Sequence, residues 1–300
     1  MIAFACPVMD TESYRRYAEP GIRLAAEPES ELFALAATGG LARSYNLLLE
    51  QTAGHEELEA LVLVHPHAEI TDPDFCRKVR EALEDPGVGV VGAIGATGVR
   101  NIAWWEGEVR AGHVRHRYTD FGGGELEAFS WTQPQPAPGE VECVDGLLLV
   151  LSPEVARSIR FDESLPLGHG VDFDFCVQVR AAGYRVAVAD FHLTQHRALE
   201  LLEDDSLWVE AHIRLGKKWE GRMPGVPKED VDWKTRARRA EAERESARAF
   251  AHANLLGADA RVLAAERALE EVTSTASWRA TGPLRWLNKL RAERRSRAAS

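Results

Sequence analysis

Residues 144–196 read VDGLLLVLSPEVARSIRFDESLPLGHGVDFDFCVQVRAAGYRVAVADFHLTQH, a run in which apolar segments alternate with short acidic ones. Residues 146–151 are an almost unbroken apolar run of strand length, stopped by a Ser-Pro pair that opens a helical turn, so a buried strand is expected there. Residues 173–182 have helical periodicity. Asp172 stands where a helix should begin, and Gly183 supplies the permissive backbone that ends one. Residues 184–191 follow as a strand. A strand, a loop bearing carboxylates, a helix and a strand leading to His196 describe an open α/β sheet, whose ligands bind outside the carboxyl ends of the strands. Asp145, Asp172, Asp174 and His196 fall at the edges of these elements, where side chains can converge on a ligand.

The same residues resemble the glycosyltransferase family 2 group, inverting enzymes of the GT-A fold that take sugars from nucleotide-sugar donors. The resemblance is carried by Asp145-Gly146, Phe161-Asp162-Glu163, Val171-Asp172-Phe173-Asp174, Ala182-Gly183-Tyr184 and His196. One departure is Val171, where relatives often carry Glu. The implied fold class is α/β: a Rossmann-like mixed sheet, mostly parallel, flanked by helices, with a C-terminal helical extension. The resemblance makes Asp172 the base that takes the proton of an acceptor hydroxyl, in a single displacement that also needs positive charge at the departing diphosphate. Read alone, Asp172 is rather a helix cap, the commonest reason for an Asp at such a position. Asp174 either orients the acceptor or favours the positive helix end. Asp145, with Gly146, is expected at the donor sugar or acceptor, and is otherwise a turn residue.

Towards the N-terminus, residues 2–8 and 31–37 read as strands and residues 12–26 as the helix between them. The resemblance puts the nucleotide base and ribose at the ends of these strands, nearest Pro7, Val8 and Asp10. Ordinary strand-to-helix turns carry the same residues. Residues 41–53 read as a helix in which Ala42-Arg43-Ser44-Tyr45-Asn46 resembles a family segment flanking the donor pocket. Arg43 suits a diphosphate because a guanidinium offers paired donors and a permanent charge, although a solvated surface Arg fits equally. Asn46 either serves the donor or satisfies backbone groups.

Residues 61–64 form the next strand, followed at once by His65-Pro66-His67-Ala68-Glu69. In GT-A enzymes an acidic motif here holds a divalent metal against the donor diphosphate. This chain has His67 where the metal-binding Asp is expected. Imidazole is acceptable to Mn²⁺ and less so to Mg²⁺, which prefers oxygen. The resemblance therefore implies an altered site for Mn²⁺ or Mg²⁺ built from His65, His67, Glu69 and His196; the alternative is a strand end that has lost its metal. A His-x-His after a strand also occurs in metal-dependent amidohydrolase barrels. Those need about eight strand–helix units, and this chain has only a few further strands before a long helical tail.

A helix is expected from Asp72-Pro73-Asp74 to residue 83, and a strand over residues 88–94. From 95 to 139 the pattern loosens into Trp104-Trp105, three consecutive glycines at 122–124 and a Pro-rich segment at 133–138. The resemblance makes this insertion the acceptor-facing region, where Trp104 and Trp105 suit stacking on sugar faces. Packing of the Trp pair onto the sheet is the other reading.

Beyond His196, residues 199–218 read as a helix and residues 223–227 as a linker. The expected division is a transferase domain over 1–222 and an extension over 223–300. Residues 232–273 are rich in Ala, Glu and Arg and read as a long helix or a helical hairpin, with a solvated charged face. Ser277-Trp278-Arg279-Ala280-Thr281-Gly282-Pro283-Leu284-Arg285 resembles a C-terminal motif of bacterial glycosyltransferases that build surface polysaccharides. From residue 277 onward seven Lys or Arg stand against one acidic residue. Trp278, Trp286 and their apolar neighbours suit either an anionic membrane surface or the protein's own acidic body.

The 300 residues carry a net charge of −11, which argues against a general nucleic-acid binder, because phosphate contacts need clustered Lys and Arg. A hydrophobic content of 45% is enough for a sizeable core. Cys6, Cys76, Cys143 and Cys176 have neither pairing nor zinc-like spacing and read as reduced structural thiols. No signal peptide or membrane span is legible, so a cytoplasmic place is expected. The expected partners are a nucleotide-sugar donor, a glycan or lipid-linked acceptor and, through the tail, the membrane face. Two other classes stay in view: a non-catalytic nucleotide-sugar or glycan-binding module, and a scaffold acting through its C-terminal helix.

Overall fold

Seven apolar residues, IAFACPV, make β1 (Ile2–Val8), whose first six side chains are buried. Pro7 is tolerated because β1 pairs with its neighbour on one side only over Ile2–Ala5, so no ladder bond is missing at residue 7 on that side. The computed structural model describes residues 1–99, 102–104, 107–118, 126–132, 139–165, 169–197, 205–219 and 233–283. The helix expected over 12–26 is divided into α1 (Thr11–Ser13), a π-helical turn (Tyr14–Ala18) and α2 (Glu19–Ala25). β2 (Glu31–Ala36) and α3 (Leu41–Thr52) follow, then β3 (Ala60–Val64), β4 (Ala68–Ile70) and α4 (Phe75–Ala82).

The run expected as one strand over 88–94 is two, β5 (Val88–Gly92) and β6 (Ile94–Thr97), which enter different sheets. The loose insertion contains paired strands β7 (Glu108–Tyr118) and β8 (Leu126–Thr132). Next come β9 (Gly139–Val141), β10 (Cys143–Val144), β11 (Leu148–Leu151), α5 (Pro153–Ser158) and α6 (Val171–Ala181). β12 (Arg185–Val188) is shorter than expected, and β13 (Leu193–Arg197) takes His196 into a strand instead of leaving it beyond the last one. α7 (Asp205–Lys218), α8 (Trp233–Ser274) and α9 (Ala276–Ala280) complete the order.

The main sheet runs β2-β1-β3-β11-β5-β12-β9. β1 is parallel to β2 and β3, and β12 to β5, while β11 is antiparallel to β3 and β5 and β9 to β12; five of the seven strands therefore point one way. β3, β5 and β11 are apolar throughout and wholly buried, as strands covered on both faces must be. This is the mixed α/β architecture with a largely parallel sheet flanked by helices. A second sheet, β10-β6-β7-β13-β4 with β8 on β7, lies in the same compact unit.

That unit is Met1–Pro227; Lys228–Ser300 forms another. In the second unit α8 runs for 42 residues, with Val262, Leu263, Leu269 and Val272 exposed. Among the described residues no helix is long and apolar enough to cross a membrane.

Candidate functional site

Asp172 approaches the turn between β10 and β11 because two glycines allow it. Gly170, at φ 71°, is the N-cap of α6; a Cβ there would stand 2.5 Å from Leu215 and 2.9 Å from Ile102. With Gly170 at the cap, Asp172 belongs to the first helical turn and is not the capping residue. Its Oδ2 accepts from the Gly146 N–H at 2.9 Å and its Oδ1 from the Phe173 N–H at 2.9 Å. Gly146 is needed for closeness and not for conformation: an added Cβ would lie 3.1 Å from the Asp172 Cβ. The turn is fixed in its own right, since Asp145 Oδ1 accepts from the Leu147 N–H at 2.8 Å and the Asp145 N–H donates to Ile94 O at 3.0 Å.

Burial pushes the Asp172 carboxyl up to about 7, and the neighbouring Asp145 adds to the shift; the two N–H donors pull the other way and do not prevail. A carboxylate with that value is ionised in part at neutral pH and is basic enough to take a proton from a hydroxyl in a transition state.

The site continues along the same edge of the main sheet. The His65 N–H donates to Leu147 O at 3.0 Å, tying the end of β3 to the Asp145–Gly146 turn. Burial drives the His65 imidazole down to about 3, so it is neutral at physiological pH. Asp10, at the end of β1, lies within electrostatic reach of His67. Its carboxylate accepts from the Ser13 hydroxyl at 2.5 Å and the Glu12 N–H at 2.9 Å, which hold it below the usual range and cap α1. Pro7 and Val8 lead into this corner.

The four residues expected as metal ligands are close together but turned to one another. His196, 3% exposed in β13, has its Nε2 2.7 Å from Glu69 Oε2 and its ring stacked 3.6 Å from Tyr17. His67 Nδ1 lies 2.9 Å from His196 O, and the His196 N–H donates to His67 O. His65 Nδ1 accepts from the His67 N–H at 3.3 Å. Among the described residues no group of three or more His, Cys, Asp or Glu side chains is placed to hold one ion. As arranged, this donor set does not fit a divalent metal, because Glu69 and His196 satisfy each other, so no chemical step below runs through one.

Other expected site residues have partners within the fold. Asp174, expected at the acceptor, is fully buried: it accepts from Gln178 Nε2 at 2.7 Å, Trp219 Nε1 at 2.8 Å and Lys218 Nζ at 2.7 Å. It fastens the end of α7 to α6, and a sealed carboxylate cannot meet an acceptor. Asn46 grips the backbone of Phe161, donating to its carbonyl at 2.9 Å and accepting from its N–H at 2.8 Å. Arg43, half exposed, lies 3.3 Å from Glu163 Oε2. Trp104 is 6% exposed and belongs to the core, so it offers no open face to a sugar, and Trp105 lies outside the described residues. Tyr17 and Lys218 carry no signal in the sequence, because the residues they meet, His196 for Tyr17 and Asp162 and Asp174 for Lys218, are distant along the chain.

Residues 3–214 match the family model described as "Glycosyltransferase like family". The chain is 28% identical over 200 residues to the streptomycin biosynthesis protein StrF of Streptomyces griseus, covering 65% of this chain and 66% of that protein, just under two thirds of its length. Among solved structures it is similar to the mannosyltransferase PcManGT of Pyrobaculum calidifontis, in complex with GDP-Man and Mn²⁺, at 12% identity, covering 75% of this chain and 65% of that one with a TM-score of 0.44. It is also similar to TarS of S. aureus at 10% identity, 65% and 60% coverage and a TM-score of 0.41.

Proposed function

The chain belongs to the glycosyltransferase-like family, and on that premise we propose that it transfers a sugar from a nucleotide-sugar donor to a hydroxyl of a glycan or lipid-linked acceptor, with inversion. Asp172 is the base. As the acceptor oxygen bonds to the anomeric carbon, its proton passes to Asp172 and the bond to the diphosphate breaks, the electron pair leaving with the nucleotide. The observation that carries this reading is the carboxylate of Asp172, raised to about 7 and aimed by the Gly146 and Phe173 N–H groups at the strand ends where α/β sheets bind ligands. Arg43 supplies permanent positive charge towards the diphosphate.

The corner formed by Pro7, Val8, Asp10 and His67 takes the nucleotide end of the donor, and Asp145 the sugar. The transferase domain spans 1–222. A cytoplasmic place, with peripheral membrane contact through the basic tail and a product destined for a bacterial surface polysaccharide, completes the proposal. Anomeric proton couplings of the product, read by NMR, test the stereochemistry: inversion supports a single displacement on Asp172, and retention sinks it.

The second reading is a non-catalytic nucleotide-sugar or glycan-binding module. It is favoured by the imidazoles at the end of β3, where Glu69 and His196 are committed to each other. Saturable donor binding without turnover in the presence of acceptors would select it.

A further inference from the structure

Arg43 of α3 is held from two sides. Its Nη1 donates to Glu163 Oε2 at 3.3 Å. Its stem lies over Gly39, at φ 71° in the turn after β2, where an added Cβ would stand 2.7 Å from the Arg43 Cδ. Glu163 is itself anchored, because its Oε1 accepts from Asn46 Nδ2 at 2.9 Å, and Asn46 also bonds both backbone groups of Phe161. The Phe161-Asp162-Glu163 segment is thereby tied to α3, and the two oxygens of one carboxylate divide between Asn46 and Arg43. These contacts stand beside the strand ends proposed for the nucleotide, since the Ala37 N–H, two residues before Gly39, donates to Val8 O at 3.0 Å. The bond to Glu163 uses Nη1, and a guanidinium fork has further N–H donors for a second anion. A loose Arg gives up about 2 kcal/mol of rotamer freedom when it is fixed. One held beforehand gives up less on meeting a ligand.

We propose that Glu163 and Gly39 are positioning residues for the donor: they hold the Arg43 guanidinium against the turn that ends β2, set for the diphosphate. This rests on the reading of Arg43 as the charge that meets the departing diphosphate. Neither residue touches the donor, and both act through Arg43. The side chains of Arg43 and Glu163 are 52% and 43% exposed, so their pair adds only ~0–1 kcal/mol to stability and its effect falls on binding.

The test is a double-mutant cycle in the full chain, read by calorimetric binding of UDP, GDP and dTDP to wild type, Glu163→Gln, Arg43→Ala and the double variant. Glu163→Gln keeps an oxygen for Asn46 and removes the charge that orients Arg43. It also removes a repulsion between Glu163 and the diphosphate, but that part is the same in both backgrounds and cancels in the cycle. Glu163→Gln should therefore cost about three- to fivefold more affinity when Arg43 is present than in Arg43→Ala. Gly39→Ala changes no charge and crowds the Arg43 stem, so it should weaken diphosphate binding in wild type and not in Arg43→Ala. Effects of Glu163→Gln that are equal in the two backgrounds, or a gain in affinity that needs Arg43, overturn the proposal, as does Gly39→Ala acting alike in both. If Arg43→Ala binds every diphosphate as wild type does, the reading of Arg43 itself fails. If Arg43→Ala weakens binding and the cycle shows no coupling, only the positioning role is lost.

Discussion

The Gly146 N–H and the Asp172 Oδ2 meet at 2.9 Å, and the absent side chain at residue 146 is what lets them do so, since a Cβ there would stand 3.1 Å from the Asp172 Cβ. Position 146 thus aims the carboxylate without taking part in chemistry. Gly146→Ala should displace Asp172 by a few tenths of an ångström, cost about 1–3 kcal/mol through overpacking, and lower kcat by roughly tenfold to a hundredfold, since misplacement of a reacting group is expensive. Chemical denaturation beside steady-state kinetics checks both. A variant with wild-type kcat would show that the Gly146 contact does not aim the base.

The raised carboxyl of Asp172 fixes the sign of the pH dependence. A base works deprotonated, so kcat/KM should fall as pH drops through about 7 and level off above it. The profile of a saturating donor with varied acceptor is the measurement. A limb near pH 4 would mean that Asp172 has an ordinary carboxylate value or is not the base.

The same shift has a consequence for stability. A folded-state value above the unfolded one means that the native protein holds its proton more tightly, so this group's contribution is present in full below about pH 4 and is lost as pH rises through about 7. Asp172→Asn keeps an acceptor for the Gly146 N–H and removes the buried charge. It should melt higher than wild type above pH 7, by roughly 2–4 °C for each kcal/mol relieved, with the difference shrinking towards pH 4. Calorimetry across that range would expose the opposite trend.

Asp174 tests the separation of scaffold from site. Asp174→Ala removes the acceptor for Gln178, Trp219 and Lys218 and should cost about 3 kcal/mol, while Lys218 keeps its 2.6 Å bond to Asp162. The urea midpoint should fall while the acid limb of the kcat/KM profile stays in place. A shifted limb with an unchanged midpoint would return Asp174 to the catalytic machinery.

The sequence was most readable where the chain is buried on both faces. The apolar runs of β1, β3 and β11 announce central strands, and the Asp145-Gly146 and Val171-Asp172 pairs mark the turn and helix start that meet. It was least readable where partners are distant. Asp174 looks like a first-turn acid at an open helix end until Lys218 and Trp219, 44 and 45 residues later, close over it. His196 looks like a loop ligand until β13 pairs with β4 and β7 and turns its ring onto Glu69 and Tyr17. Trp104 looks like a sugar platform because its burial comes from core neighbours across the fold.

The central claim is that Asp172 is the base of a sugar transfer, and nucleotide release from UDP-, GDP- and dTDP-sugars in the presence of acceptor, measured for wild type and Asp172→Asn, tests it most directly. Wild type should release nucleotide from at least one donor. The variant should bind that donor equally well and release nucleotide about 10²–10⁴-fold more slowly. Release by Asp172→Asn at the wild-type rate would contradict the claim.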